Sequence, residues 1–449
     1  MRFLLRRNDK IKFNTKNMKT YLNPSPEQWP LLAQRQTVAS ADLNETVKSI
    51  FKDIEKNGSK AVKKYTQYFD GVTLENLKVT NAEIEKALTK VPSDLKKAIQ
   101  TAAQNIKRFH QSQQEIAKKI ETTSGVFCWR ESRAINTVGI YIPGGTAPLF
   151  STVLMLAIPA QIAGCKNIIL CSPPDKNGQL NPAILYAAQL TGVTQIYKVG
   201  GIQAIAAMTL GTDDIPKADK LFGPGNQFVT AAKQYAQQLG TAIDLPAGPS
   251  ELLVIADDSC DPDFVASDLL SQAEHGGDSQ VILVTNSETI VAKVTSAIEQ
   301  QKAVLPRQSV VEKALENSRA LVFETIQKGI EFSNFYAPEH LILAVEEAEN
   351  ALSFIENAGS VFLGNYSCES AGDYASGTNH TLPTNGFAKN YSGVSLDSFV
   401  KKITVQKLTL KGLQNLGPTI EIMAEAEQLT AHRNAVSVRL QKLQNGDYN

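Results

Sequence analysis

The chain has 449 residues, of which 43% are hydrophobic and 20% are charged, a balance that excludes an intrinsically disordered protein and predicts two to four folded domains. Lysine and arginine together number 45, as do aspartate and glutamate, so no net charge favours nucleic acid or an anionic membrane surface. No apolar run reaches the roughly 18 residues needed to span a bilayer, so we expect a small-molecule or protein partner, with no nucleic acid and no membrane.

Residues 1–35 are predicted to form an N-terminal arm, and its basic first part, 1–17, is expected to be disordered. The apolar stretch Phe3–Leu5 is too short for the core of a secretory signal, so an extended start or a floppy tail is favoured over a targeting signal. The five cysteines include no Cys-x-x-Cys pair. This usage does not resemble a disulfide framework, and it predicts a reducing compartment, the cytoplasm.

Residues 40–125 are predicted to be mostly helical. Apolar residues recur there at steps of three and four, which is the pattern of a single helix face. These residues are Val47, Ile50, Phe51 and Ile54, followed by Leu95, Ile99, Ala102 and Ile106.

From residue 138 onward, short apolar strands alternate with helices, which is typical of a parallel, doubly wound α/β sheet. One of these helices, within Leu149–Cys165, is apolar enough to be buried and is expected to end near Gly164. Ligands bind beyond the carboxyl ends of the strands in such sheets. Glycine-rich turns follow three of the predicted strands, at 143–145, 200–201 and 223–226.

A second alternation of strands and helices begins at Leu252 and includes a helix opened by Asp261 and Pro262 and running to about His275. Residues 376–396 are rich in Gly, Asn, Ser and Thr and predict a long irregular connection, whereas about 406–443 is predicted to be helical.

Gln272 and His275 lie at the end of that helix, just before two glycines. A spacing of three places an amide oxygen and an imidazole nitrogen on one face, where both are able to hold one metal ion. An ordinary polar helix end explains the same residues, because a histidine there is favoured by the helix dipole.

Glu339 and His340 lie between Pro338 and a predicted buried strand. A carboxylate beside an imidazole that titrates near neutrality is suited to proton transfer. A solvated pair at the mouth of a strand is the alternative.

The segment Glu369–His380 combines Asp373 and His380 with small residues and glycines that let a ligand approach the backbone. A hydrogen-bonded loop is the alternative. Cys368 beside it is a candidate aldehyde-trapping nucleophile or a small packed side chain.

Glu427 and His432 lie five apart on the last predicted helix, where a solvated helix face is the alternative to a site. Two histidines, one aspartate and one amide would together suit a catalytic zinc. The residues alone do not establish that these groups converge. They also do not establish dinucleotide binding, because no G-x-G-x-x-G fingerprint is present.

Seven strings, taken in chain order, resemble the bacterial histidinol dehydrogenase family over roughly residues 30–445. They are Gly139–Pro148 (GIYIPGGTAP), Phe222–Asn226 (FGPGN), Pro246–Glu251 (PAGPSE), Ser271–Gly276 (SQAEHG), Pro338–His340 (PEH), Glu369–His380 (ESAGDYASGTNH) and Leu429–His432 (LTAH).

The resemblance implies a role for each matching position. Glu339 and His340 match the acid/base pair of the family. The residues that match ligands of one Zn²⁺ per subunit are Gln272, His275, Asp373 and His432. The positions expected to contact substrate are these four ligands together with Ser250, His340, His380 and Glu427. The positions that match contacts to NAD are Tyr141, Gln203 and Asn226.

The resemblance also implies a layout of two incomplete Rossmann-like domains, doubly wound, with an N-terminal helical region. The first α/β domain, with the metal and acid/base residues, is expected at 36–140 and 259–392, and the nucleotide-binding domain at 141–258. The helical tail, 393–449, is expected to be swapped in a homodimer, so that His432 and Glu427 complete the site of the partner chain.

The implied activity is oxidation of L-histidinol through L-histidinaldehyde to L-histidine, with two NAD. In this scheme His340 accepts the hydroxyl proton and Glu339 activates water. A related zinc and NAD dehydrogenase acting on another amino alcohol or a sulfonate is the main alternative. A zinc hydrolase and a non-catalytic binding module are the rivals from other classes.

Overall fold

The structure, a computed structural model, describes residues 18–35, 41–144, 148–246 and 248–444. The expectation of disorder at residues 1–17 lies outside these ranges, as do the last residue of the predicted turn at 143–145 and one residue of Pro246–Glu251. Within the described ranges, no helix combines the length and the apolar character needed to cross a bilayer.

The chain divides into two compact units. The first unit comprises Met1–Gln113 and Asn136–Phe399, and the second comprises Gln114–Ile135 and Val400–Asn449.

The first unit opens with a short strand and four helices. They are β1 (Lys19–Leu22), α1 (Trp29–Leu32), α2 (Ala41–Asp70), α3 (Asn81–Lys90) and α4 (Ser93–Gln111). The apolar face predicted at Val47–Ile54 is buried in α2. This helix is interrupted at Gly58, whose φ of 53° favours glycine. Helix α3 begins with a capping box, in which the side chain of Thr80 accepts from the Glu83 amide and that of Glu83 accepts from the Thr80 amide.

Two strands of the second unit come next in the chain, β2 (Ile120–Thr123) and β3 (Val126–Ala134). The chain then returns to the first unit.

A parallel sheet of five strands confirms the first predicted alternation. Its elements are β4 (Thr137–Tyr141), α5 (Phe150–Ala163), β5 (Asn167–Ser172), α6 (Pro182–Leu190), β6 (Gln195–Lys198), α7 (Gly201–Leu210), β7 (Lys220–Phe222), α8 (Gln227–Gln238) and β8 (Ala242–Ile243). The strands lie in the order β6-β5-β4-β7-β8. Helix α5 is buried from Ser151 to Ala160 and ends on Gly164 in the left-handed conformation, as predicted.

A second parallel sheet has six strands in the order β1-β11-β10-β9-β12-β13. Its remaining elements are β9 (Glu251–Ala256), α9 (Pro262–Ala273), β10 (Gln280–Thr285), α10 (Glu288–Lys302), α11 (Gln308–Glu316), β11 (Arg319–Val322), α12 (Ile326–Tyr336), β12 (His340–Ala344), α13 (Ala348–Leu352), β13 (Ser360–Leu363) and α14 (Glu369–Tyr374). Leu252–Ala256 is fully buried at the centre of this sheet, which explains its continuous apolar sequence.

The predicted domain boundaries fall close to these sheets. Strand β4 pairs within the five-stranded sheet and spans the boundary at 140/141. Strand β9 pairs with β10 and β12 in the six-stranded sheet, although it precedes the boundary at 258/259. The division into domains stays a prediction. The segment predicted to be irregular, 376–396, contains only short 3-10 turns, at Phe387–Lys389 and from Leu396.

The second unit combines an antiparallel sheet with two helices, β14 (Val400–Leu408), α15 (Leu410–Ala426) and α16 (Thr430–Gln444). Strand β3 lies between β2 and β14. The helices confirm most of the predicted helical tail, but the prediction was wrong for 406–408, which continue β14. It was also wrong for 120–123, which form β2. The partner of β14 is remote in sequence, so no local pattern reveals that pairing. The pairing of β2 with β3 is a local hairpin across Ser124 and Gly125, and its turn residues were overlooked.

Candidate active site

The predicted acid/base pair lies at the amino end of β12, where Glu339 precedes the strand and His340 begins it. The two side chains are buried, with 9% and 4% of their surface exposed, and His340 Nδ1 lies 3.7 Å from Glu339 Oε2. Ala337 precedes the pair in the left-handed conformation and redirects the chain after α12. The turn before β12 therefore allows two neighbouring residues, Glu339 and His340, to face one buried site.

Two carboxylates of α14 face the same imidazole. His340 Nε2 lies 3.4 Å from Asp373 Oδ1, and His340 Nδ1 lies 3.9 Å from Glu369 Oε1. Glu369 and Asp373 are four residues apart, so one turn of α14 presents both from a single face.

The end of α9 supplies the other predicted ligands of this unit. His275 Nε2 lies 4.0 Å from Asp373 Oδ2, and Gln272 Nε2 lies 3.5 Å from Glu339 Oε2. With its amide turned over, Gln272 donates to Glu369 and accepts from the Glu251 amide at 2.9 Å. Gln272 is the second-last residue of α9 and His275 follows the helix end, where the partial negative charge of the helix favours a cation.

The charges of this cluster depend on one another. Burial lowers the pKa of His340, but the carboxylates of Glu369 and Glu339 outweigh it and raise that pKa to about 10. Burial raises the pKa of Glu339 to about 8, against the opposing effect of His340. Burial also raises the pKa of Glu369. Burial by itself would also raise the pKa of Asp373, but the hydrogen bond and the charge of the adjacent His340 outweigh burial and lower that pKa.

The cluster has the geometry of a site for one metal ion. One possible ligand atom from each of His275, Glu369 and Asp373 lies within 4.8 Å of the other two. Ligands bound at about 2 Å to one zinc lie roughly 3–4 Å apart, so a small inward movement is sufficient. His340 Nε2 and Asp373 Oδ1 are buried and face each other at 3.4 Å, and neither has another hydrogen-bond partner among the described residues. A nitrogen and oxygen set of this kind fits zinc.

His380 connects this cluster to the five-stranded sheet. Its Nδ1 lies 2.8 Å from the carbonyl oxygen of Asp373, and its Nε2 lies 3.0 Å from Thr152 Oγ1 on α5. Ser250, the other predicted substrate contact of this unit, lies one residue before Glu251, whose amide donates to Glu339 Oε2 at 2.8 Å.

Glu427 and His432 lie in the second unit. Glu427 is the C-cap residue that follows α15, and His432 lies in the first turn of α16. The structure therefore brings together six of the predicted residues, while the contribution of Glu427 and His432 stays a prediction. The six are Gln272, His275, Glu339, His340, Asp373 and His380.

The predicted nucleotide contacts line a cleft of about 810 Å³ at the carboxyl ends of the five-stranded sheet. The hydroxyl of Tyr141 accepts from the Gly201 amide at 3.2 Å. Gln203 donates to Asp70 at 3.3 Å. Asn226 caps α8 by accepting from the amides of Phe228 and Val229. The residue before Gly201 supplies no side-chain cap to the start of α7. Backbone amides at an uncapped helix start form a ready site for phosphate groups, so the cleft suits a dinucleotide without the glycine fingerprint.

Comparison with known proteins gives a consistent result. The family model described as histidinol dehydrogenase matches residues 33–440. The histidinol dehydrogenase of Bacteroides thetaiotaomicron is 55% identical over 426 residues, which cover 95% of this chain and 100% of the relative. That of Pasteurella multocida is 54% identical over 422 residues, covering 94% and 97%.

The chain belongs to the histidinol dehydrogenase family. The crystal structure of the histidinol dehydrogenase from Elizabethkingia anophelis is 60% identical and superposes with a TM-score of 0.94, over 96% of this chain and 100% of that chain. The mixed α/β fold with parallel sheets is thereby confirmed.

Membership of the histidinol dehydrogenase family makes the chain an NAD-dependent dehydrogenase of histidine biosynthesis that uses zinc. Both described regions suit this chemistry, since one presents nitrogen and oxygen atoms that fit a metal ion and the other is an open cleft lined by the predicted nucleotide contacts.

Several residues of this histidinol dehydrogenase site were not assigned a role from the sequence. Glu369 carried a signal, since it lies one helical turn before Asp373 in a predicted cluster. Asp70, which contacts Gln203, carried none, because it ends a helix remote in sequence from the cleft. Thr152 and Arg35 were missed because their contacts are remote in sequence. Glu251 adjoins Ser250, but its contacts with Arg35 and Glu339 are also remote in sequence.

Proposed function

We propose that this chain oxidises L-histidinol through L-histidinaldehyde to L-histidine, with two NAD consumed per substrate. One observation carries the proposal: a buried imidazole and carboxylate lie beside a nitrogen and oxygen cluster suited to zinc. Among the described residues, the cleft on the five-stranded sheet offers the place for the nucleotide. This combination supports redox chemistry over hydrolysis, because a hydrolase has no use for the cleft.

We assign the zinc to Gln272, His275, Asp373 and His432, with Glu369 beside them. Zinc, when bound, supplies orientation of the substrate's imidazole and amino nitrogens and Lewis-acid polarisation. The chemistry that NAD supplies is acceptance of a hydride, once from the alcohol and once from the hydrated aldehyde.

His340 is assigned as the base for the hydroxyl proton of the alcohol. The neighbouring carboxylates hold its imidazole in place and raise its pKa to about 10, after burial has acted in the opposite direction. A bound cation would compensate those carboxylates, and the ring would then be neutral and competent as a base.

Glu339 is assigned as the base that activates water for attack on the aldehyde. Its carboxylate is oriented by the Glu251 amide at 2.8 Å. Burial raises its pKa to about 8, which makes the carboxylate a stronger base than an exposed glutamate. The imidazole of His340 beside it is able to relay the proton.

We further propose a homodimer in which Glu427 and His432 of one chain complete the site of the other. What supports this is the second unit itself, whose helices leave Leu410, Ile422, Met423 and Val438 exposed. Apolar surface of this extent is typical of an interface between chains.

We also propose that the protein works in the cytoplasm. The five cysteines form no disulfide, which supports a reducing compartment.

The test is to follow NADH absorbance when the purified, zinc-loaded protein is mixed with L-histidinol and NAD. We expect two NADH per histidinol and L-histidine as the product. An amino alcohol that lacks the imidazole is the control substrate, and it should be oxidised far more slowly. Faster oxidation of another amino alcohol or a sulfonate, or hydrolysis without NADH, would contradict the proposal.

A further inference from the structure

A buried ion pair lies behind the acid/base residues, between the N-terminal segment and the start of β9. Arg35 Nε contacts Glu251 Oε1 at 2.9 Å, and Arg35 Nη2 contacts Glu251 Oε2 at 3.0 Å. The Asn385 amide donates to the same carboxylate at 2.7 Å. The side chain of Glu251 is only 1% exposed. A carboxylate so deeply buried needs this planar, two-point partner to stay ionised.

The main chain of Glu251 faces the opposite way, toward the acid/base pair. Its amide donates to Glu339 Oε2 at 2.8 Å, and its carbonyl oxygen lies 3.3 Å from His340 Nδ1. The position of one residue therefore sets the position of the Glu339 carboxylate, and it also touches the ring of His340.

Arg35 holds the segment before Glu339 as well. Its Nη2 donates to the carbonyl of Tyr336 at 2.8 Å, and its guanidinium lies 3.7 Å from the centre of the Tyr336 ring. The hydroxyl of Tyr336 in turn donates to Gln280 at 2.8 Å. One guanidinium thus connects the two chain segments that carry Glu251 and Glu339.

We propose that Arg35 is a positioning residue for the aldehyde-oxidising step, acting through Glu251 on the carboxylate of Glu339. The inference rests on the proposed function, in which Glu339 activates water in that step only. Lysine is a partial substitute, because it keeps the charge and loses the two-point geometry. Methionine removes the charge and keeps most of the length.

Arg319 offers a matched control. It binds the same N-terminal segment by donating to the carbonyls of Leu32 and Gln34. Its described hydrogen bonds do not include Glu251. Arg319→Met therefore removes contacts of the same segment while every hydrogen-bonding group of the ion pair stays in place.

The experiment measures kcat and KM for L-histidinaldehyde and for L-histidinol in the zinc-loaded full chain. For Arg35→Met we expect at least a tenfold lower kcat with the aldehyde, a smaller loss with the alcohol, and a KM for NAD within threefold of the unaltered protein. Arg35→Lys should recover part of the loss. Arg319→Met should stay within threefold in both steps.

The decisive comparison is made in a Glu339→Gln background. If Arg35 acts through Glu339, adding Arg35→Met to that variant costs less than threefold in aldehyde oxidation, because the base is already absent. A full tenfold further loss, or losses matched by Arg319→Met, would overturn the proposal. Arg35→Lys carries the same comparison if Arg35→Met does not fold. If Glu339→Gln alone leaves aldehyde oxidation unchanged, the proposed role of Glu339 fails instead.

Discussion

The two parallel sheets of the first unit differ in where their predicted site residues lie. In one sheet these residues lie along the edge formed by the carboxyl ends of the strands, and in the other along the edge formed by the amino ends. The five-stranded sheet uses the carboxyl ends of its strands, where Tyr141 ends β4 and Gly201 follows β6. The six-stranded sheet uses the amino ends, where Glu251 begins β9 and His340 begins β12. The general rule for ligands at carboxyl ends therefore describes the first sheet only.

The chemistry of the two edges explains the difference. The carboxyl edge is an open cleft lined by the predicted nucleotide contacts, and the start of α7 there carries no side-chain cap, so it suits a large cofactor with phosphate groups. The amino edge collects the imidazole of His340 and the carboxylates of Glu339 and Asp373, which are almost closed to solvent. We therefore expect changes at the amino edge to alter the chemical steps, and changes in the cleft to alter the use of NAD.

Removal of zinc should have the largest effect on activity. It would test whether the residues at the amino edge of the six-stranded sheet hold a metal ion that the reaction needs. A chelator should abolish turnover of L-histidinol, because Lewis-acid polarisation and orientation of the substrate are lost together. Added zinc should restore it. Binding of NAD to the metal-free protein, followed by fluorescence, should be nearly unchanged. Full activity without metal would contradict the ligand assignment.

Glu339→Gln would show which of the two oxidation steps depends on the carboxylate at the amino edge. We expect aldehyde oxidation to slow by about 10²–10⁴-fold, the usual contribution of a general base, and alcohol oxidation to slow much less. The amide oxygen still accepts from Glu251, so the fold is preserved. Stopped-flow measurements with each substrate supply the two rates. Equal losses in both steps would count against the assigned role.

Tyr141→Phe would test whether the cleft affects the use of NAD without affecting the chemical steps at the amino edge. Its hydroxyl accepts from Gly201 at 3.2 Å, and loss of one such bond costs about 1 kcal/mol. We expect KM for NAD to rise by about five- to tenfold. Zinc content, measured by metal analysis, and the ratio of the two step rates should stay unchanged. A changed ratio would show that the two edges are not independent.

Asp70→Asn should change stability and its dependence on pH, with little effect on the two chemical steps. Burial raises the pKa of Asp70 from 3.8 to about 6, so the folded protein binds this proton more tightly than the unfolded chain does. The resulting stability is present below pH 3.8 and is lost as the pH rises through 6. After allowance for solvent screening, this loss amounts to about 1–2 kcal/mol.

Asparagine does not titrate, so Asp70→Asn should be more stable than the unaltered protein above pH 6 by about that amount. Urea unfolding on both sides of pH 6 measures the difference. Tyr141→Phe keeps the carboxyl group and is the control, so it should retain the pH dependence. An unchanged pH dependence in Asp70→Asn would show that other groups cause it.

Much of the fold followed from local patterns in the sequence. The apolar strands near Val138 and Leu252 were identifiable because buried parallel strands are continuously apolar. Helix α5 was identifiable from its length and from Gly164 at its end. The antiparallel sheet was missed, because β3 meets β14 only in the folded unit.

The candidate site was less accessible from local patterns. Gln272 and His275 fit an ordinary helix end equally well, and only the resemblance to a family favoured a metal. The position of Glu339 and His340 at the start of a buried strand was predicted, but the convergence on it was not, because it depends on where α14 and the end of α9 meet β12. Glu251 and Arg35 are joined by a contact between segments remote in sequence, which no spacing reveals.

The left-handed conformation of Ala337, with φ of 56°, has a consequence for engineered heat resistance. A side chain at such a position costs about 1 kcal/mol relative to glycine, although a glycine there adds freedom to the unfolded chain. Ala337→Gly is therefore an obvious substitution for a designer who seeks a higher melting temperature. The same change would relax the peptide that leads into Glu339, so the gain in durability would be expected to come with slower catalysis.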